Sequence, residues 1–259
     1  EELAEIAFPH TQKLQIQKLI TNDYIILTNS QEIELKTLEN KINEFFSTIK
    51  KDFEGVKKSE PDSPPTLIIF ANQEEYRNFI PRFAALLLAQ ADTPKSGGYT
   101  IHSIATSFWK SDMGTLRPVY FHEIFHTWLD KFYAFPSGNG DWLQEGFANY
   151  YQITFFPQEN LSKIIQTALL EGFTPLEELC NGSRISMNQY WQALTVVAML
   201  MNKKEYRNKL TNLLNTFIEK NSVNLTAVIT EIYGIDMQKF TSDWKKFCME
   251  YSKQLKNKK

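Results

Sequence analysis

The sequence predicts an α+β fold: a small mixed β-sheet lobe over 1–116 and a mainly helical lobe over 117–259, within a single domain. Three observations predict it. Two short β-rich runs in the first third are separated by a long helical stripe. From about Pro118 the apolar spacing is helical almost to the end. No internal repeat or low-complexity segment points to another architecture.

The elements follow in order. Tyr24-Ile25-Ile26-Leu27-Thr28 is a β-rich run closed by Asn29-Ser30. Ile33, Leu38, Ile42, Phe45, Phe46, Ile49 and Phe53 then recur at helical spacing, and the proline-rich stretch 60–65 ends that helix. Thr66-Leu67-Ile68-Ile69-Phe70 is apolar enough for a strand buried on both faces. Asn72 is a candidate N-cap for a short helix with Glu75 as its capping-box partner, and a second helical patch covers 79–91. Gly97-Gly98 marks a turn into an extended segment over 99–105. Helices are expected at 118–133, 142–155, 158–171, 187–202, 204–221, 224–233 and 236–256. The apolar stretches Phe83–Ala89 and Leu194–Met201 fit buried helices and are too short to span a membrane.

Composition narrows the partners. With 28 Lys plus Arg against 30 Asp plus Glu, the net charge of −2 lacks the basic surface that general nucleic-acid binding needs. Lys253, Lys256, Lys258 and Lys259 read as a solvated helix end. Cys180 and Cys248 lack CxxC or Cys/His spacing and read as packing residues. The chain starts at Glu-Glu, which leaves room for a signal or anchor segment upstream and for an extracytoplasmic location.

The chemistry concentrates at His122-Glu123-Ile124-Phe125-His126. On a helix, positions i and i+4 share a face one turn apart, so two imidazoles can reach one zinc ion. Glu123 lies beside that face, where a carboxylate can serve as general base on a water activated by the ion. Chance supplies this pattern in about one sequence in two hundred of such composition and length, so a third ligand decides. Asp141-Trp142-Leu143-Gln144 reads as the capped start of a returning helix after a turn at 137–140, and Glu145 lies in its first turn. Gly146-Phe147-Ala148 supplies small residues for close helix approach. Helix, loop and returning helix would carry Glu145 over the pair, and His/His/Glu with an open fourth position is a catalytic zinc set.

The segments His122–Trp128 and Trp142–Ala148 resemble the gluzincin zinc metallopeptidases. The spacing HExxH-x18-E and the segment Trp-Leu-Gln-Glu-Gly-Phe-Ala are similar to the aminopeptidase N-like branch. The order of the flanking elements looks closer to bacterial peptidase-MA-like domains. The specific match covers about 116–152 and a looser one about 20–205. The resemblance implies one zincin-like catalytic domain with the site at the lobe junction. It implies one Zn²⁺ ligated by His122, His126 and Glu145, with Glu123 as general base. Tyr190, opening Tyr190–Leu200, matches the tyrosine that stabilises the oxyanion in the family, where Lys-Gly usually stands in place of Gln192-Ala193. Gln144, Asn149 and Asp130 are candidates to orient the ligands.

One departure bears on the activity. Branch aminopeptidases hold the substrate amine with an acidic residue in an upstream stretch, and Gly97-Gly98-Tyr99-Thr100 stands there instead. An endopeptidase acting on a peptide or protein substrate is therefore expected. The alternatives are an aminopeptidase, or a zinc-containing module that binds protein or glycan without cutting. The segment 99–106 is either a peptide-holding edge strand or simply the rim of the small sheet. His102 and His10 read as surface residues.

Overall fold

The computed structural model describes residues 2–12, 15–61, 63–88, 92–133, 135 and 140–257. The turn expected at 137–140 falls outside them except for Gly140, as do Lys258, Lys259, Asp62 and residues 89–91. The architecture is α+β. Two compact units divide the chain: 1–52 with 59–133, and 53–58 with 134–259.

The first unit contains α1 (Glu2–Ala7), β1 (Gln17–Ile20), β2 (Ile25–Thr28), α2 (Leu35–Asp52), β3 (Thr66–Phe70), α3 (Gln73–Leu86), β4 (Gly98–Ile101), β5 (Ile104–Phe108) and α4 (Pro118–Phe132). Its five-stranded sheet runs β1-β2-β3-β5-β4. β2, β3 and β5 are parallel, and each edge strand, β1 and β4, is antiparallel to its neighbour. All five residues of β3 are buried, as a continuous apolar run requires in a central parallel strand. Side chains alternate across a strand. Ile68, Phe70, Ile101 and Phe108 accordingly share one face with Phe8, α1 and the α3 residues Tyr76, Phe79, Ile80 and Phe83. Helix α4 packs on β3, β4 and β5. The five stripe positions within α2, Leu38, Ile42, Phe45, Phe46 and Ile49, are all buried. Within the unit, Phe45 meets Phe121 at 5.3 Å and Phe46 meets Trp128 at 6.2 Å between ring centroids.

Several elements differ from expectation. Helix α1 and strand β1 were not anticipated; β1 is a four-residue edge strand with no fully buried position, so its pattern is faint. The short helix at Asn72 and the patch from Phe79 are one helix. Pro81 sits inside it and removes only the bond to the carbonyl of Arg77, an exposed residue whose carbonyl water can serve. The Asn72 side chain accepts from the Glu75 backbone N–H at 3.0 Å, as an N-cap should. Leu86, Leu87 and Leu88 are exposed, which corrects the reading of Phe83–Ala89 as a stretch of buried helix; Ala89 lies outside the described residues. The segment 99–105 is a hairpin rather than one strand. His102 and Ser103 have φ of 46° and 57° and form the two-residue turn between β4 and β5.

The second unit contains α5 (Trp142–Phe155), α6 (Leu161–Glu171), α7 (Leu176–Leu179), a 3₁₀ turn (Met187–Gln189), α8 (Tyr190–Asn202), α9 (Lys204–Arg207), α10 (Leu210–Glu219), α11 (Ile229–Tyr233) and α12 (Met237–Asn257). The expected helix over 204–221 is two pieces broken at Asn208-Lys209, and the one over 224–233 shortens to α11. α5 packs along α8, and α12 along α6. Polar ties join these layers: Trp244 Nε1 donates to Thr195 Oγ1 at 3.0 Å, and Ser162 Oγ to the Ser252 carbonyl at 2.7 Å. Cys180 and Cys248 are both buried free thiols. Among the described residues, no helix is long and apolar enough to cross a membrane.

Candidate metal centre

Helix α4 carries the first part of the predicted site. Pro118 occupies its first turn, where a missing N–H costs nothing. Arg117, immediately before it, is buried and folds back onto β5. Its guanidinium donates to the Phe108 carbonyl at 2.7 Å and to Ser107 Oγ at 3.3 Å, and lies 4.2 Å from the Phe108 ring centroid. Burial lowers its pKa. Tyr120 Oη also donates to the Phe108 carbonyl, at 3.0 Å. These contacts fix the start of α4 against β5, and every residue from Tyr120 to Leu129 is buried.

His122 and His126 are 9% and 3% exposed, and Glu123 is 7% exposed. The two imidazole Nε2 atoms are 3.2 Å apart, with ring centroids at 4.9 Å and planes inclined by 73°. Two nitrogens each ~2.05 Å from one tetrahedral ion lie about 3.3 Å apart, a separation close to that of this pair. Glu123 is held from β4. Thr100 Oγ1 lies 2.8 Å from Glu123 Oε2, donating to it, and 3.2 Å from the Glu123 carbonyl.

In the second unit, Asp141 caps α5. Its carboxylate accepts from the backbone N–H of Leu143 at 2.6 Å and of Gln144 at 3.1 Å. The Gly140 carbonyl, just before it, accepts from Ile185 N at 2.8 Å. Trp142 Nε1 donates to the Val223 carbonyl at 2.9 Å. Glu145 is thereby set in the first turn, 5% exposed, where the helix dipole favours a carboxylate. Gln144 is fully buried. Asn149 donates to the Glu145 carbonyl at 2.7 Å, a bond to backbone rather than to a ring. Asp130, on α4, is half-buried.

Tyr190 opens α8, half-buried, directly after the 3₁₀ turn. A capping box between Ser186 and Gln189 sets that turn. Gln189 Nε2 donates to Thr174 Oγ1 at 3.0 Å. Gln192 is buried and pairs twice with Thr174. Its Nε2 donates to the carbonyl at 2.6 Å, and its Oε1 accepts from the N–H at 3.2 Å. It therefore clamps the 173–175 loop to α8. Two clefts of about 390 and 500 Å³ open beside Trp191 and are lined by none of the five predicted site residues.

No protein-family model and no curated protein matches this chain. The chemical groups themselves carry the functional reading. The contribution of β4 was missed from sequence: Thr100 bonds Glu123, and a Cβ on Gly98 would collide with the Glu123 side chain. Their signal was present as alternation, since 98 and 100 share a strand face, but only the partner helix gives that face a meaning.

Proposed function

We propose that the chain is a zinc-dependent peptidase of gluzincin type with a zincin-like fold, and that it cleaves internal peptide bonds. The observation that carries the reading is the 3.2 Å separation of the His122 and His126 Nε2 atoms, which suits two ligands of one tetrahedral ion. His122 and His126 supply two of the ligands in this reading, and Glu145, with 18 residues between it and His126 in the HExxH-x18-E spacing, supplies the third. Three protein ligands of this type leave a coordination position for chemistry, whereas a structural zinc site closes with four.

Zinc held by these residues would lower the pKa of a water towards about 7 and polarise a substrate carbonyl. Glu123 accepts the proton of the attacking water and passes it to the leaving amine. Its position one residue after His122 and its hydrogen bond from Thr100 keep the carboxylate beside the metal-binding face. The Tyr190 phenol donates to the oxygen on which negative charge develops. β4 ends the sheet, so its outer edge is available to pair with an extended peptide. Gly97-Gly98-Tyr99-Thr100 offers no carboxylate for a free amine, which favours internal cleavage.

Zinc stoichiometry tests the ligand set. The wild-type chain should bind one equivalent, and His122→Ala, His126→Ala and Glu145→Ala should each weaken binding at least tenfold while circular dichroism stays native. Unchanged zinc affinity in any one of the three would remove that residue from the set.

A further inference from the structure

We infer that Gly98 and Thr100 of β4 together form the seat of the Glu123 carboxylate, and that Thr100 is a positioning residue for the base. This rests on the reading of Glu123 given above. The two residues act in opposite ways from the same strand face. Thr100 supplies a hydroxyl 2.8 Å from Glu123 Oε2. Gly98 supplies room: a Cβ there would lie 2.6 Å from Glu123 Cγ, 2.8 Å from Glu123 Oε1 and 2.7 Å from Val119 Cγ2. The carboxylate is thus flanked by a donor on one oxygen and by bare backbone at the other. The φ of Gly98 is not in the left-handed region, so the close approach, not the backbone conformation, calls for glycine.

The strand that carries the seat is itself pinned. Ser107 Oγ donates to the Gly97 carbonyl at 2.6 Å, Ser96 Oγ to the Gly98 carbonyl and Thr106 Oγ1 to the Tyr99 carbonyl at 2.6 Å. Three successive carbonyls are therefore held by hydroxyls, beside the antiparallel pairing of Thr100 with Ala105. A glutamate side chain has three torsions to order, and a general base works only while its oxygen points at the proton it takes. A hydroxyl fixed on a rigid strand supplies that orientation without occupying the second oxygen.

The test compares zinc-loaded full chain carrying Thr100→Val, Thr100→Ser and Gly98→Ala on a peptide that the wild type cuts. Thr100→Val keeps the shape and loses the donor. It should lower kcat about tenfold or more, with KM within about twofold and zinc stoichiometry unchanged. Thr100→Ser should return kcat to within about threefold of wild type. Gly98→Ala should lower kcat by at least as much as Thr100→Val. Crystal structures of wild type and Thr100→Val provide a readout that needs no turnover: the Glu123 carboxylate should leave its wild-type position in the variant. Wild-type kcat in Thr100→Val, or a Thr100→Ser variant as impaired as Thr100→Val, overturns the proposal. If the wild type binds zinc and cuts no peptide, the base assignment fails. The seat is then judged from the crystal structures, where an unmoved Glu123 in Thr100→Val overturns it.

Discussion

Gly146→Ala sets two known effects against each other at the helix that carries Glu145. Alanine is favoured over glycine in a helix interior by about 1 kcal/mol, so local propensity alone predicts stabilisation. Packing predicts the reverse. A Cβ at position 146 would stand 2.7 Å from the Ala193 carbonyl oxygen and 2.7 Å from Val197 Cγ2. Ordinary carbon contacts begin at about 3.5 Å, leaving a shortfall of roughly 0.8 Å against the methyl. The carbonyl belongs to the α8 backbone and cannot rotate away, and a helical valine has one strongly preferred rotamer. α5 and α8 must separate, and overpacking of this kind costs about 1–3 kcal/mol. The net expectation is a loss of about 1 kcal/mol for Gly146→Ala and more for Gly146→Val, or about 2–4 °C per kcal/mol in Tm. Urea unfolding followed by circular dichroism reads it. Gly146→Ala combined with Val197→Ala should cost less than the sum of the two single variants, because one of the two contacts is relieved. A Gly146→Ala protein more stable than wild type would show that the helices have slack the structure does not have, and would refute the reasoning.

Two further predictions concern the frame and the thiols. Asp141→Ala removes the α5 cap and should destabilise by about 1–2 kcal/mol in the same unfolding assay, with Asp141→Asn retaining most of the capping. Burial pushes the Cys248 thiol up to about 12 and raises the Cys180 thiol well above its ordinary value. Neither should react with a thiol reagent at pH 8 until the chain unfolds, and rapid labelling of the native protein would contradict their burial. Both folded values lie above the unfolded value near ~8.5, so the stability these thiols contribute is complete below that pH. It declines as the pH rises towards about 12, and denaturant midpoints should fall across that window.

The legible parts of the fold were those where one physical signal dominates. The stripe from Ile33 to Phe53 around α2 was readable because seven apolar residues repeat at helical spacing and every one is buried. β3 was readable because a short unbroken apolar run fits a strand covered on both faces. Strand β1 was not, because an edge strand with half-exposed alternation carries little apolar signal. The hairpin turn at His102-Ser103 escaped because neither residue is the Asn or Gly that usually marks two left-handed positions. Leu86 to Leu88 misled because apolar composition was equated with burial, and these residues are exposed at the end of α3. At the candidate site, the histidine pair was legible because positions i and i+4 share a helix face, and its Nε2 atoms lie 3.2 Å apart. Thr100 was not, because its relation to Glu123 spans 23 residues and arises only when β4 comes to lie against α4.

The most direct test of the central claim is cleavage of a mixed peptide library by the zinc-loaded chain beside its Glu123→Gln variant, with bound zinc measured in both. Wild type should give internal cleavage products. The variant should keep one equivalent of zinc and lose about 10²–10⁴-fold in rate, the usual worth of a positioned general base. Products that are single N-terminal residues would replace the endopeptidase reading with an aminopeptidase. A wild-type chain that holds its zinc and cuts nothing would contradict the peptidase itself.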